Sequence, residues 1–225
     1  MKSLFDHYPA DETRSTLCED AHFILCNAHD AASSFLDIFQ KVRVGRSAHG
    51  TPTDEEQDLL RAMLLFATAG LDSMVKQLVT DALPAVIGKD TGAAENFKQF
   101  VERRLEKNDR LDRKFLADII ADPDPRGRML QILVKDLTSK SLQSSEQLLK
   151  TAAYFNIPSP NICKDIPGLT AIFDSRNQIA HEMDVDFAQT NRSRRPRARK
   201  TIFSSANTIF EVAAKFLENV DSKLL

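Results

Sequence analysis

The chain has 225 residues, 42% of them hydrophobic and 28% charged, with a formal net charge of −2. These totals describe one globular domain with a sizeable core and exclude a global basic pull toward nucleic acid or membrane, so any basic site must be local. Three cysteines (Cys18, Cys26, Cys163), an odd number with no C-x-x-C pair, argue against a disulfide framework and fit a reducing compartment.

The opening MKSLFDHYPADE lacks an apolar signal core, and no run reads as long enough to span a bilayer. The expected location is cytoplasmic. Residues 1–14 are polar and expected to be loosely ordered. From about Thr16 to Val42, apolar residues recur at helical spacing (Leu17, Ala21, Ile24, Ala28, Phe35, Ile38, Phe39, Val42). The same helix carries Cys18, His22, Cys26 and His29 on one side. Cys18 and His29 lie ~16 Å apart along the axis, while a zinc ion needs its ligands within ~2.3 Å. One helix therefore offers at most an adjacent pair, and a half-buried flank is the plainer reading.

GRSAHGTPT (45–53) reads as a loop. Thr53 with Glu56 forms a capping box, and Asp54 and Glu55 suit a first turn. A long helix is expected from there to about Leu83, with a stripe from Leu59 to Ala82. Gly70 in its middle marks a close helix–helix approach or else costs ~1 kcal/mol against alanine. Residues 88–125 differ in texture. GKDTG reads as a turn, since the glycines of a phosphate loop are missing. Charged helices are expected over Ala94–Lys107 and Leu111–Ala121, ended by DPDPRG. This stretch is read as a helical insertion in a single domain spanning 1–225.

Helices are expected again over Met129–Lys140 and Ser145–Phe155, the second capped by Ser144 with Gln147. NIPSPNICKDIPG (156–168) reads as a loop, followed by a helix through DSRNQIAHE. The chain then runs QTNRSRRPRARK, with Arg192, Arg194, Arg195, Arg197, Arg199 and Lys200. A last amphipathic helix extends from Thr201 to about Leu224. There is no internal repeat and no alternating strand pattern, so the class is all-α, packed as a bundle.

The chemistry concentrates in Asp174–Phe187. On a helix, Leu169, Ile172, Phe173, Ile179, Ala180 and Met183 form an apolar stripe with Arg176 near its middle. A buried guanidinium is costly unless paired or meeting an anion. Asn177 and His181 are four apart and therefore neighbours. Arg176 and His181 fall ~140° apart on a regular helix. They are expected to converge only if the helix ends or kinks there, or if a second copy supplies the partner across a two-fold axis. The alternative is that Arg176 pairs with a core carboxylate and His181 is simply a surface residue.

Arg176-Asn177-x-x-x-His181, on a late helix of an all-α chain followed by one more amphipathic helix, resembles the Arg-x(4–6)-His signature of the HEPN superfamily. The resemblance covers mainly residues 54–85 and 165–222. It implies a HEPN-like bundle acting as a metal-independent endoribonuclease without a cofactor, working as a homodimer with two motifs in one cleft. Many members act as toxins or antiviral effectors, so a cognate antitoxin or defence partner is implied as well. Carried over, Arg176 and His181 are catalytic and Asn177 supports them. A further polar residue on the earlier long helix is often part of such sites; Asp72 and Ser73 are the candidates here.

The chemistry of these side chains agrees. Cleavage by the substrate 2′-OH needs proton movement, which an imidazole performs near neutral pH. It also needs a clamp on a charged phosphorane, which a guanidinium provides. The basic run Arg192–Lys200 would hold phosphates with salt-sensitive affinity, or else is only a solvated loop. Two other readings stay open. His181, Glu182, Asp184 and Asp186 could bind Mg²⁺ or Mn²⁺ for a metal-dependent nuclease. The domain could also be a non-catalytic interaction or regulatory module of the same superfamily.

Overall fold

A computed structural model describes residue 5 and residues 13–47, 49–107, 110–142 and 144–225. Among these residues the chain forms ten α-helices and one minimal hairpin. A single 3₁₀ turn, Thr16–Cys18, leads into α1 (Glu19–Gly45). The loop then enters α2 (Asp54–Asp81) through the expected capping box: the Thr53 hydroxyl accepts from the Glu56 N–H, and the Glu56 carboxylate accepts from the Thr53 N–H at 2.9 Å.

The two long helices pack antiparallel, as Phe35 against Phe66 and Ala28 against Gly70 show. A β-carbon at Gly70 would lie 2.1 Å from that of Ala28. The mid-helix glycine is thus the close approach expected of it.

α2 is the axis of the bundle. It packs on α1, on α10 (Arg199–Leu224), and on α9 (Ile166–Glu182). Its Leu60, Leu64, Met74 and Leu78 are fully buried. By length and composition α2 could cross a bilayer, with a mean hydropathy of 1.3 over an 18-residue window. That corrects the reading that no run is long enough. Here its apolar side chains are spent on the other helices.

Residues 82–125 build α3 (Leu83–Lys89), α4 (Thr91–Leu105), the pair β1 (Glu106–Lys107) and β2 (Arg110–Leu111), and α5 (Arg113–Ile120). They contribute Phe97, Phe100 and Ile119 to the common core. α4 begins three residues before the expected start because Asp90 caps it, accepting from the Ala93 N–H at 2.8 Å. Asp90 also meets Lys223 at 2.6 Å and Asn156 at 2.9 Å. Burial pushes its carboxyl up, but these donors outweigh that and hold its pKa below the ordinary value.

The DPDPRG segment starts a helix as much as it ends one. Asp124 caps α6 (Pro125–Thr138), with Pro125 in its first turn, where a missing N–H costs nothing. Asp165 and Pro167 open α9 in the same way, so its first turn lies inside the expected loop. α7 (Ser145–Tyr154) has its Ser144 cap, and a short α8 (Ser159–Ile162) follows. At the N-terminus the expectation of a loose polar segment fails at Phe5. That ring is 4% exposed and stacks on Phe203 at 5.3 Å.

Candidate active site

α9 ends where the motif ends. Leu169, Ile172, Phe173 and Ile179 are buried against the bundle, while Ala180 and Met183 are exposed. The apolar stripe therefore stops one turn earlier than its residues suggest, because Met183 is the left-handed cap (φ 51°) and no longer helical. Arg176 is half-buried on the edge of the packed face, and no carboxylate among the described residues lies within ion-pair distance of it. The expected core ion pair of Arg176 is not formed.

Its guanidinium instead reaches along the helix to both other motif residues. Nη1 donates to Asn177 Oδ1 at 3.0 Å and lies 3.3 Å from His181 Nε2. Of the conditions under which the two were expected to converge, the ending of the helix is the one met: α9 stops at Glu182, one residue after His181. The ~140° separation holds for the α-carbons, but both side chains are long and His181 sits in the last turn, with no further helix to block the crossing. A guanidinium only donates, so this contact requires Nε2 to accept and places the ring proton on Nδ1. His181 itself is exposed.

Directly behind this triad lies a buried ionic network that the sequence reading did not foresee. Asp184, fully buried and left-handed (φ 60°), receives Arg61 Nε at 2.8 Å and Arg197 Nε at 2.9 Å on one oxygen, and Arg197 Nη2 on the other. Burial pushes the Asp184 carboxyl up; hydrogen bonds from Arg197 and Arg61 outweigh it, so the pKa falls below its ordinary value. Arg61, 3% exposed on α2, also meets Asp58 at 3.0 Å and the Arg195 carbonyl at 3.0 Å. Asp58 receives Arg194 as well, at 2.6 Å, and that bond is the main cause of its lowered pKa. Arg197 Nη2 donates to Gln178 on α9 at 2.9 Å, beside Asn177.

The basic run is therefore two sets of side chains. Arg194, Arg195 (on Glu182 at 2.9 Å) and Arg197 are tied to carboxylates and fasten the 184–198 segment onto α2 and α9. A bridge between Val185 and Arg194 closes that segment on itself. Arg192, Arg199 and Lys200 are exposed, and their side chains carry no hydrogen-bond or ion-pair partner among the described residues. Only the second set differs from the first in having charge to spare.

The acidic group after the motif does not gather. Asp184 turns inward to its arginines, Glu182 holds Arg195, and Asp186 accepts from Gln189 at 2.9 Å and from the Ala188 N–H at 3.1 Å. Among the described residues no three His, Cys, Asp or Glu side chains cluster as metal ligands. In the turn before α1, Cys18 is fully buried, and burial with nearby Asp221 pushes its thiol to about 12. His29 is buried against Phe5 and Phe210, and burial lowers its pKa. Cys26 and His22 lie 3.6 Å apart.

Asp72, one of the two candidates on the earlier long helix, is engaged in a structural turn. It accepts from the Leu142 N–H at 2.9 Å and from Lys76 at 3.0 Å, closing the α6–α7 turn. Ser73 is exposed on the adjacent position. Both lie about three turns along α2, ~16 Å, from Arg61. Arg61 is the α2 side chain that reaches the end of α9. The signal for it was present in LLRAMLLF, a lone cation inside an apolar helical run, which needs a buried partner.

No protein-family model, curated protein or solved structure matches this chain.

Proposed function

We propose that the protein is a metal-independent endoribonuclease of the HEPN kind, acting in the cytoplasm as a homodimer. The observation that carries the reading is the meeting of Arg176, Asn177 and His181 at one exposed helix end, with no carboxylate among the described residues neutralising the guanidinium. A structural arginine would be spent on an acid, as Arg61 and Arg197 are. An unspent arginine beside an imidazole is the pair a phosphodiester needs.

In the proposed reaction an RNA phosphate draws the Arg176 guanidinium onto its non-bridging oxygens, freeing His181 Nε2. That nitrogen takes the proton of the adjacent 2′-OH as its oxygen attacks phosphorus. The bond from phosphorus to the 5′-oxygen breaks, and that oxygen takes a proton from water or from the second copy's imidazole. The products are a 2′,3′-cyclic phosphate and a 5′-hydroxyl. Asn177 holds the Arg176 guanidinium in place while its ligand changes. Exposed Arg192, Arg199 and Lys200 supply the long-range attraction for the strand. A toxin or antiviral role, with a cognate partner protein, is the biological setting we propose.

The test is cleavage of a mixed RNA pool in EDTA, with end-group analysis. His181→Ala and Arg176→Ala should each lower the rate by about 10²–10⁴-fold with unchanged thermal melting. Folded wild-type protein that cuts no RNA, with or without Mg²⁺, would overturn the reading.

A further inference from the structure

Arg197, which donates to Gln178, also lines a cavity of about 630 Å³. It is bounded by the end of α1, the 50–52 turn and the 196–199 entry to α10. Its apolar lining is Pro52, Pro196 and Ala198, with Phe39 beneath, 2% exposed and under the Arg43 guanidinium; Thr51 and Gln57 add polar groups. The volume lies in the range of small-ligand sites.

Three guanidiniums edge it, in different electrical states. Arg43 meets Glu56 at 2.9 Å and the Gly50 carbonyl at 2.7 Å. Arg197 is held by Asp184. Arg199, in the first turn of α10, has no partner among the described residues. The cavity thus combines flat apolar walls with a single unbalanced positive charge at one edge. α10 adds to that edge, because Ala198 provides no side-chain cap for its first N–H groups.

We infer that this cavity seats one nucleotide of the RNA strand, with its base against Pro52 and Pro196 and its phosphate on Arg199. The inference rests on the ribonuclease reading for the identity of the strand. A base offers a flat, weakly polar face to the rings of Pro52 and Pro196, an apolar contact that does not depend on which base it is. One phosphate matches one uncompensated arginine. Arg197 joins the two sites: it lines the cavity and donates to Gln178, the residue after Asn177. A strand with one nucleotide in the cavity would therefore run over the ion-paired Arg197 toward Arg176 and His181.

The experiment uses the full chain and two probes: the four ribonucleoside 5′-monophosphates, followed by NMR, and a 2′-O-methyl oligoribonucleotide that cannot be cut. Thr51→Phe should fill the mouth and Arg199→Ala should remove the charge. Each should weaken binding of the oligonucleotide about tenfold, and Arg199→Ala should also reduce its salt slope by about one. Monophosphates should shift signals of residues at the cavity in wild type and lose that effect in Thr51→Phe. Cleavage that depends on His181 but is indifferent to both cavity variants, in KM and in cut position, would overturn the cavity and leave the ribonuclease. Nucleotide binding abolished by Thr51→Phe in a protein that cuts no RNA would uphold the cavity and sink the ribonuclease. No response to any monophosphate, with oligonucleotide binding unchanged in both variants, overturns the inference outright.

Discussion

Asp184 is the residue on which the end of α9 depends. It is fully buried, holds a left-handed backbone, and takes hydrogen bonds from two arginines that come from α2 and from the entry to α10. Replacing it with asparagine keeps the shape but leaves Arg197 without its counter-charge and Arg61 with only Asp58. Removing one partner of such a buried pair costs about 3–5 kcal/mol, so Asp184→Asn should lower the urea midpoint strongly. The pH dependence has a definite sign. The folded pKa is depressed, so the contribution of Asp184 is fully present above the unfolded carboxylate value of ~3.9. It is lost as pH falls through the lower folded value. Wild-type stability should therefore decline below about pH 4 more steeply than that of Asp184→Asn; parallel acid-unfolding curves would refute the role. Local legibility at this scale was uneven. Arg176, Asn177 and His181 stood out because their spacing is unusual, whereas Asp184 read as one more acid in a polar turn. Nothing in the local sequence says that a turn aspartate is the buried one, since its partners lie 123 and 13 residues away.

At the scale of the element, Gly70 shows how a helix interior can overrule propensity. Alanine there should gain ~1 kcal/mol in an isolated helix. In this bundle the added carbon would lie 2.1 Å from Ala28 Cβ, deep in the seam between α1 and α2. The helices must separate or shift, and overpacking of that kind costs about 1–3 kcal/mol. Gly70→Ala should therefore be net destabilising in thermal melts, and adding Ala28→Gly should restore part of the loss; a stabilised Gly70→Ala would show that the seam yields freely. The long helices were legible because their apolar stripes and caps are local, as with Thr53 and Glu56. The starts of α6 and α9 were not, because Asp124-Pro125 and Asp165-x-Pro167 read first as loop punctuation. The aspartate accepting from a glycine N–H three residues on is what turns each into a helix start, at 2.9 Å in both.

For the whole molecule, the question is how two copies would share the work. The all-α class and the order of long helices followed from periodicity alone. The packing of α9 and the 184–198 segment onto α2 did not, since it depends on ion pairs between residues remote in sequence. Arg176 and His181 meet within α9 itself, and so within one chain, 3.3 Å apart. If the proposed dimer places two such triads in one cleft, each chain still carries its own arginine and imidazole. Mixing Arg176→Ala with His181→Ala subunits then leaves every triad either lacking its arginine or lacking its imidazole, apart from contacts across the two-fold axis. A site completed within one chain predicts that the mixture, after subunit exchange, cuts RNA no faster than the two variants assayed apart. A site that pairs the arginine of one chain with the imidazole of the other predicts recovery of a sizeable fraction of wild-type activity, because some mixed dimers would hold one intact composite pair. The geometry favours the first outcome. Recovery on mixing would mean that the contact between Arg176 and His181 belongs to the free subunit and is exchanged for one across the cleft when substrate binds.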